Sequence, residues 1–194
     1  MRELILASTS PYRRQLVERL GVAFRAIAPQ VNEAAIQALF DAASAGDLAE
    51  HLAIAKAVSV ARQQPEAVVI GSDQLAMCED RILCKPGSVS AAAEQLGFLA
   101  GKRHQLITAV CLSVEGQLQV HRDATVLTMR PLTPAEIERY IAADSPLDCA
   151  GSYKLEARGI ALFERIESAD HTAITGLPLL WLTGALRGLG YAIP

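Results

Sequence analysis

Apolar and polar positions alternate along this chain with the two periods that distinguish strands from helices. Short apolar runs bounded by turn residues predict buried strands, which lie at residues 4–7, 24–28, 67–70 and 160–163. Longer segments with an apolar residue every three or four positions predict helices, which cover about residues 11–20, 47–62, 88–99, 133–142 and 178–188. Residues 104–114 and 117–130 flank a Glu-Gly turn and predict an antiparallel hairpin. This mixture predicts an α/β fold.

The first helix begins with an unusual set of polar residues. Hydroxyl residues occupy positions 8–10, and Ser10 is a good N-cap with Pro11 at the first helical position. The first turn then carries Arg13 and Arg14, where the positive end of the helix dipole disfavours cations. Arginines, hydroxyls and free backbone N–H groups together predict an anion site, most simply for phosphate. The alternative is a solvated helix start that happens to be basic.

Three charged residues further along have a functional and a structural interpretation each. Glu33 is a loop carboxylate after a strand, or an acid in the first turn of the next helix. Lys56 lies among apolar neighbours and either extends to solvent, which is commoner, or points into a polar pocket. Asp73 follows a buried strand, where α/β sheets place ligands, or it closes a turn beside Gly71. Apolar residues resume at Leu75, which predicts a bent strand with Asp73 at the bend.

Composition narrows the classes of function. The 194 residues carry a formal net charge of -3 and no dense Lys/Arg tract, which argues against duplex nucleic acid as a partner. No apolar run approaches the roughly 18 residues of a membrane span. The chain enters a strand at once and has no signal-peptide layout, so we expect a cytoplasmic protein. The length allows one domain or two small lobes, and we expect a single domain over residues 1–194.

Several chemical motifs are absent. The four cysteines form no Cys-x-x-Cys pair and the four histidines have no metal-ligand spacing, which predicts reduced structural thiols and non-catalytic imidazoles. GxxxxGK[ST], GxGxxG and Gly-x-Ser-x-Gly do not occur in usable form. The acids and cations at strand ends and helix starts suit a metal-assisted phosphoryl or pyrophosphate reaction.

Residues 7–14, Ala-Ser-Thr-Ser-Pro-Tyr-Arg-Arg, resemble the opening motif of the Maf family of nucleotide pyrophosphatases. Further matches follow in the family's order and spacing, at residues 31–33, 55–57, 71–74, 85–86 and 176–178. The resemblance implies a cytoplasmic enzyme that cleaves a nucleoside triphosphate between its α and β phosphates with Mg²⁺ or Mn²⁺. It also implies an elongated mixed sheet like that of the inosine triphosphatases, with two lobes around a central cleft, and often a homodimer.

The resemblance also assigns roles to individual residues. Asp73 matches the family's proton acceptor, and Glu33 and Asp73 match the acidic positions at the metal. Other matches line the phosphate path, at Ser8, Arg13, Arg14, Lys56 and Lys85.

Residues 149–164 are most similar to the Maf subgroup that acts on 7-methyl-GTP. The positions associated with its selectivity are Tyr12, Gln74 and Glu156 here. Methylation at N7 leaves guanine cationic, so the Tyr12 ring would stack on it, and Glu156 would accept hydrogen bonds from the base edge. The alternative for Tyr12 is a core residue on the apolar stripe of the helix, and the alternative for Glu156 is a solvated acid in a loop.

Some residues depart from the family pattern. Asn32 replaces a common aspartate, Cys84 and Ala157 replace glycines, and Tyr12 stands where tryptophan is commoner. Glycine alone tolerates positive φ freely, so either glycine replacement could reshape its loop. Two other functions remain open: the same reaction on dTTP, UTP or another modified nucleotide, or a nucleotide-binding regulator of cell division with little turnover.

Overall fold

The computed structural model describes residues 2–41 and 44–194. The described residues form seven strands, which are Leu4–Ala7 (β1), Arg25–Ala26 (β2), Val68–Cys78 (β3), Arg81–Leu83 (β4), Arg103–Val114 (β5), Gln117–Met129 (β6) and Phe163–Glu167 (β7). They also form six α-helices, which are Pro11–Glu18 (α1), Glu33–Gln37 (α2), Ala45–Ala61 (α3), Val89–Leu99 (α4), Pro134–Asp144 (α5) and Leu179–Gly188 (α6). Short 3₁₀ helices cover Ala150–Ser152, Arg158–Leu162 and Ala173–Thr175.

The seven strands form one open mixed sheet. Their order is β2-β1-β3-β5-β6-β7, and β4 pairs with β3. β1 is parallel to both β2 and β3, whereas β4 and β7 are antiparallel to their partners β3 and β6. This architecture confirms the predicted mixed α/β fold class.

The chain divides into two compact units. The first comprises Met1–Asp73, Thr108–Asp123 and Asp170–Pro194, and the second comprises Gln74–Ile107 and Ala124–Ala169. The long strands β3, β5 and β6 each contribute residues to both units.

The first unit buries apolar residues on both faces of its parallel strands, as expected where helices cover a sheet on both sides. On one face, Leu4 and Leu6 of β1 join a core with residues of α1 and α6, including Val17 and Leu182. On the other face lies α3, whose buried stripe recurs every three or four residues. That stripe comprises Ala45, Leu48, Ala49, Leu52, Ala53, Lys56, Ala57 and Val60.

The second unit contains a buried aromatic cluster. The rings of Tyr153 and Phe163 meet edge to face with centroids 4.9 Å apart, and His104 lies against both. His104 Nε2 is hydrogen-bonded to the Tyr153 hydroxyl at 3.0 Å. Burial lowers the pKa of His104 to about 4 and raises the pKa of Tyr153, so the imidazole stays neutral at physiological pH.

The pKa of His104 predicts a stability loss in acid. Between its ordinary value near 6.5 and about 4, the unfolded chain takes up a proton at His104 and the folded chain does not. Stability therefore falls as the pH drops through that window, by about 3 kcal/mol, and changes no further from this group below it. Urea unfolding of wild type and His104→Gln across pH 4 to 7 measures the difference. The variant should have the shallower pH dependence, and His171→Gln, at an exposed histidine, should match wild type. Equal slopes for all three proteins would contradict the assignment.

Most predicted elements are present, with some corrections at their ends. The hairpin of β5 and β6, the Thr133–Glu136 capping box of α5 and the Ser88 cap of α4 agree with the sequence pattern. The helix predicted from residue 47, with Asp47 as its cap, begins earlier, at Ala45, so Asp47 lies in its first turn. The predicted strand at 160–163 is wrong: the backbone there forms the 3₁₀ helix Arg158–Leu162, and β7 begins only at Phe163.

Two further findings concern the described part of the chain. The four cysteines form no disulfide bond. None of the helices in residues 2–41 and 44–194 combines the length and the apolar character needed to cross a bilayer.

Candidate active site

Several predicted site residues of the first unit gather where the parallel pairing of β1 with β3 ends. Ala7, the last residue of β1, pairs with Gly71 on β3. Ser8 therefore leaves β1 close to the point where β3 reaches Ser72 and Asp73. The carboxyl ends of parallel strands are the usual place for ligands in α/β sheets.

Side chains alternate along β3, so successive residues point to opposite faces of the sheet. Gly71 faces α3, since a Cβ added there would lie 2.3 Å from the Ala53 carbonyl oxygen. Asp73 shares that parity and faces α3 as well. Ser72 points to the opposite face, where its Oγ donates to the Gly176 carbonyl oxygen at 2.8 Å. β3 continues through Asp73 to Cys78, so Asp73 lies inside a strand rather than in a turn.

Lys56 is buried and ion-paired rather than extended to solvent. It lies on the buried stripe of α3, and only 7% of its side chain is exposed. Its Nζ is 2.6 Å from Asp73 Oδ1 and 3.0 Å from Glu33 Oε1. The pocket alternative for this lysine is therefore the one observed, and the commoner solvent-facing arrangement is not. The two carboxylates compensate the charge of the buried ammonium, and the ammonium in turn holds both carboxylates in place.

Glu33 combines both of the interpretations that the sequence left open. It is the first residue of α2, and Asn32 caps that helix by accepting a hydrogen bond from the Ala35 N–H at 3.1 Å. Its side chain is 53% exposed while its carboxylate reaches Lys56. Glu33 is thus a solvent-accessible acid at the rim, whereas Asp73 is buried.

Arg13 adds a second cation to this group. Its Nε donates to the Gly176 carbonyl oxygen at 3.1 Å. Burial lowers the pKa of Arg13, and the charges of Asp73 and Glu33 act in the opposite direction. These charge interactions place the Arg13 guanidinium in the same electrostatic neighbourhood as the two carboxylates.

Sequence reasoning missed the contact that holds Arg13, which is made by Gly176. Gly176 has φ 113°, and a Cβ there would lie 3.1 Å from Arg13 Nε, so the position requires glycine. The Gly176 carbonyl accepts from both Arg13 and the fully buried Ser72. The matched motif at 176–178 was the available signal, but it indicated only the start of a helix.

The start of α1 has the predicted cap. Ser10 Oγ accepts from the Arg13 N–H at 3.4 Å, and Ser8 Oγ accepts from the Ser10 N–H at 3.1 Å. Tyr12, at the second position of α1, is half-buried. Arg14 is exposed and pairs with Glu18 at 3.1 Å along the helix, so its side chain does not join the Lys56 cluster.

The second unit contains the other three predicted site residues. Gln74 is the half-buried neighbour of Asp73 on β3, and Lys85 is exposed in the loop after β4. Glu156 is exposed in the loop between two 3₁₀ helices. The roles of all the predicted site residues remain predictions.

Comparison with known proteins identifies the family. Residues 3–189 match the family described as Maf-like protein. The chain belongs to the Maf family. The chain is 47% identical to the 7-methyl-GTP pyrophosphatase of Bdellovibrio bacteriovorus, over 93% of this chain and 94% of that protein. It is also 47% identical to the 7-methyl-GTP pyrophosphatase of Xanthomonas oryzae pv. oryzae over the whole of both chains. A third 7-methyl-GTP pyrophosphatase, from Cupriavidus pinatubonensis, is 44% identical over 97% of this chain and 94% of its own length.

The predicted resemblance is therefore confirmed, and three of the four departures from the Maf pattern have a structural account. Asn32 caps α2, a task that aspartate performs equally well. Neither Cys84 nor Ala157 has positive φ, so neither position depends on glycine for its backbone conformation.

A divalent cation would find two carboxylates here. Within residues 2–41 and 44–194 no group of three histidine, cysteine, aspartate or glutamate side chains is placed to hold a metal ion. Glu33 and Asp73 nevertheless lie close together, since one ammonium, Lys56 Nζ, contacts both carboxylates. Mg²⁺ is typically held by one or two carboxylates together with substrate phosphates and water, so this donor set fits such an ion.

Proposed function

We propose that this protein is a nucleoside triphosphate pyrophosphatase that hydrolyses 7-methyl-GTP to 7-methyl-GMP and pyrophosphate. The reaction would remove a modified nucleotide from the pool. The observation that carries the proposal is the buried Lys56 between Asp73 and Glu33, beside Arg13, where the parallel pairing of β1 with β3 ends. The names of the full-length relatives support the substrate. We also propose a cytoplasmic location and a homodimer, as the family resemblance implies.

Asp73 is the proton acceptor in this proposal. Water attacks the α phosphorus, the bond between that phosphorus and the bridging oxygen breaks, and pyrophosphate leaves. The proton lost by the water passes to the carboxylate of Asp73, whose Oδ1 is ion-paired with Lys56 Nζ at 2.6 Å. Lys56 holds the carboxylate in one orientation, as efficient general-base catalysis requires.

Cations stabilise the charge that develops on the phosphates. Arg13 Nε is occupied by the Gly176 carbonyl, which leaves the two Nη groups to donate to phosphate oxygens. Ser8, at the end of β1, contributes a hydroxyl donor. Arg14 and Lys85 are exposed cations that would meet the outer phosphates.

A divalent cation, Mg²⁺ or Mn²⁺, completes the proposed site. Glu33 and Asp73 would hold it together with the triphosphate. When bound, it polarises the phosphoryl oxygens and neutralises their charge.

A cationic purine base favours contact with an aromatic ring and with a carboxylate, and the proposed base contacts provide both. Tyr12 offers an aromatic ring to the 7-methylguanine. Glu156 offers a carboxylate to the N1–H and N2–H₂ donors, and Gln74 offers an amide beside Asp73.

A substrate panel tests the proposal. Purified protein with Mg²⁺ or Mn²⁺ should release pyrophosphate from 7-methyl-GTP with a kcat/KM at least about tenfold above that for GTP, the discrimination of one good charged contact. The panel includes GTP, dTTP and UTP, and phosphate is measured beside pyrophosphate to locate the cleaved bond. Faster release from dTTP or UTP would contradict the proposed substrate but support the proposed reaction. Nucleotide binding without any release would favour the regulator instead.

A further inference from the structure

Two loops of the second unit are joined by one side chain, Gln95 on α4. Its Nε2 donates to the Cys84 carbonyl oxygen at 3.0 Å. Its Oε1 accepts from Ser152 Oγ at 2.6 Å. Cys84 directly precedes Lys85, and Ser152 begins the segment that leads to Glu156. Gln95 therefore links the two second-unit loops that carry a proposed phosphate contact and a proposed base contact.

The orientation of the Gln95 amide is fixed by its partners. A backbone carbonyl can only accept a hydrogen bond, so the amide NH₂ must face Cys84. The amide oxygen is then left for the Ser152 hydroxyl, which is fully buried. Losing Gln95 would leave that hydroxyl without its acceptor, at the cost of an unsatisfied buried polar group.

The loop that Gln95 holds has an uncommon backbone. Gly151 and Ser152 both have positive φ, at 75° and 63°. A side chain at Gly151 would collide with the Tyr153 ring, since its Cβ would lie 2.7 Å from Tyr153 Cε1. A non-glycine residue with positive φ persists only where its surroundings hold it. The hydrogen bond from Ser152 to Gln95 is one of the contacts that do so.

We propose that Gln95 is a positioning residue that sets Lys85 and Glu156 at once, and so couples phosphate binding to base selectivity. The inference rests on the proposed function, because it takes Lys85 as a phosphate contact and Glu156 as a base contact. Gln95 itself touches no substrate in this scheme. Its effect passes through the Cys84 carbonyl on one side and the Ser152 hydroxyl on the other.

Gln95→Met tests the coupling, because methionine keeps the length of the side chain and loses both hydrogen bonds. We expect KM to rise about tenfold for GTP and about thirtyfold for 7-methyl-GTP while kcat stays within about twofold, so that the kcat/KM preference for 7-methyl-GTP falls about threefold. Ser152→Ala removes one hydrogen bond and keeps that between Gln95 and Cys84. It should lower the preference to a similar extent and leave the KM for GTP within about twofold of wild type. The double variant should be no worse than Gln95→Met, since both act through one contact.

Controls separate the possible failures. Glu94→Ala, at an exposed neighbour on α4, should leave KM and preference unchanged. A Gln95→Met protein with a lower melting temperature but wild-type KM and preference would show a purely structural role and overturn the inference. If Gln95→Met does not fold, an unchanged preference in Ser152→Ala overturns it instead. A wild-type protein that releases no pyrophosphate from any nucleotide overturns the proposed function and this inference with it.

Discussion

Asp73→Asn will lower pyrophosphate release by about 10³-fold while the protein stays folded, because an amide cannot accept the proton of the attacking water. The substitution keeps the shape of the side chain and its acceptor oxygen. Lys56 Nζ therefore keeps a hydrogen-bond partner at this position and its ion pair with Glu33. Nucleotide binding should fall less than turnover, since the amide oxygen can still ligate the proposed metal ion and the proposed phosphate contacts come from other residues.

The measurement is kcat with 7-methyl-GTP, together with nucleotide affinity by calorimetry and the melting temperature. Asp47→Asn is the matched control, since Asp47 is an exposed aspartate of the same unit that pairs with Arg122. It should retain wild-type kcat. An Asp73→Asn variant that kept more than about a tenth of wild-type turnover would remove Asp73 from the role of proton acceptor.

The sequence predicted the strands and helices of the site well because their patterns are local. β1 has the predicted bounds, Leu4–Ala7, since a short apolar run ends at a cluster of hydroxyls. α1 begins at Pro11 with Ser10 as its cap, as the cap and proline signals indicated. The strand at 160–163 failed because a short apolar run does not distinguish an extended backbone from a 3₁₀ turn.

The position of Lys56 could have been predicted more sharply. Leu52 precedes it by one helical turn and Val60 follows by one turn, and both lie on the buried stripe of α3. The helical period therefore placed Lys56 on the buried face, and a lysine there requires an acidic partner. Its actual partners, Asp73 and Glu33, come from distant parts of the chain, and a local pattern cannot identify them.

The site also depends on contacts that have no local signal at all. The shared acceptor at the Gly176 carbonyl joins Arg13 and Ser72 across more than a hundred residues of sequence. Motifs of the Maf family indicated that residues 71–74 and 176–178 matter, but not that they meet. Tertiary hydrogen bonds of this kind follow from the fold and become visible only in three dimensions.

Gly71→Ala should be the most damaging small substitution in the first unit, because α3 packs directly on the β3 backbone at this point. An added Cβ would lie 2.3 Å from the Ala53 carbonyl oxygen, 2.5 Å from the Ala57 nitrogen and 2.8 Å from the Ala57 Cβ. Two of these atoms belong to the helix backbone and cannot rotate away. α3 must therefore move off the sheet, and we expect the free energy of unfolding to fall by about 3 kcal/mol.

The same displacement should impair catalysis, because Lys56 lies between Ala53 and Ala57 on the helix that must move. A shift of about 1 Å at a catalytic contact can cost on the order of 100-fold in rate, so kcat/KM should fall about that far in the folded fraction. Urea unfolding and pyrophosphate release measure the two effects separately. Gly184→Ala on α6 is the control: nothing lies within 4 Å of its added Cβ, and alanine in a helix should stabilise the protein by about 0.5–1 kcal/mol. Wild-type stability and activity in Gly71→Ala would contradict the close packing of α3 against β3. It would also show that this packing does not position Lys56 for its ion pair with Asp73.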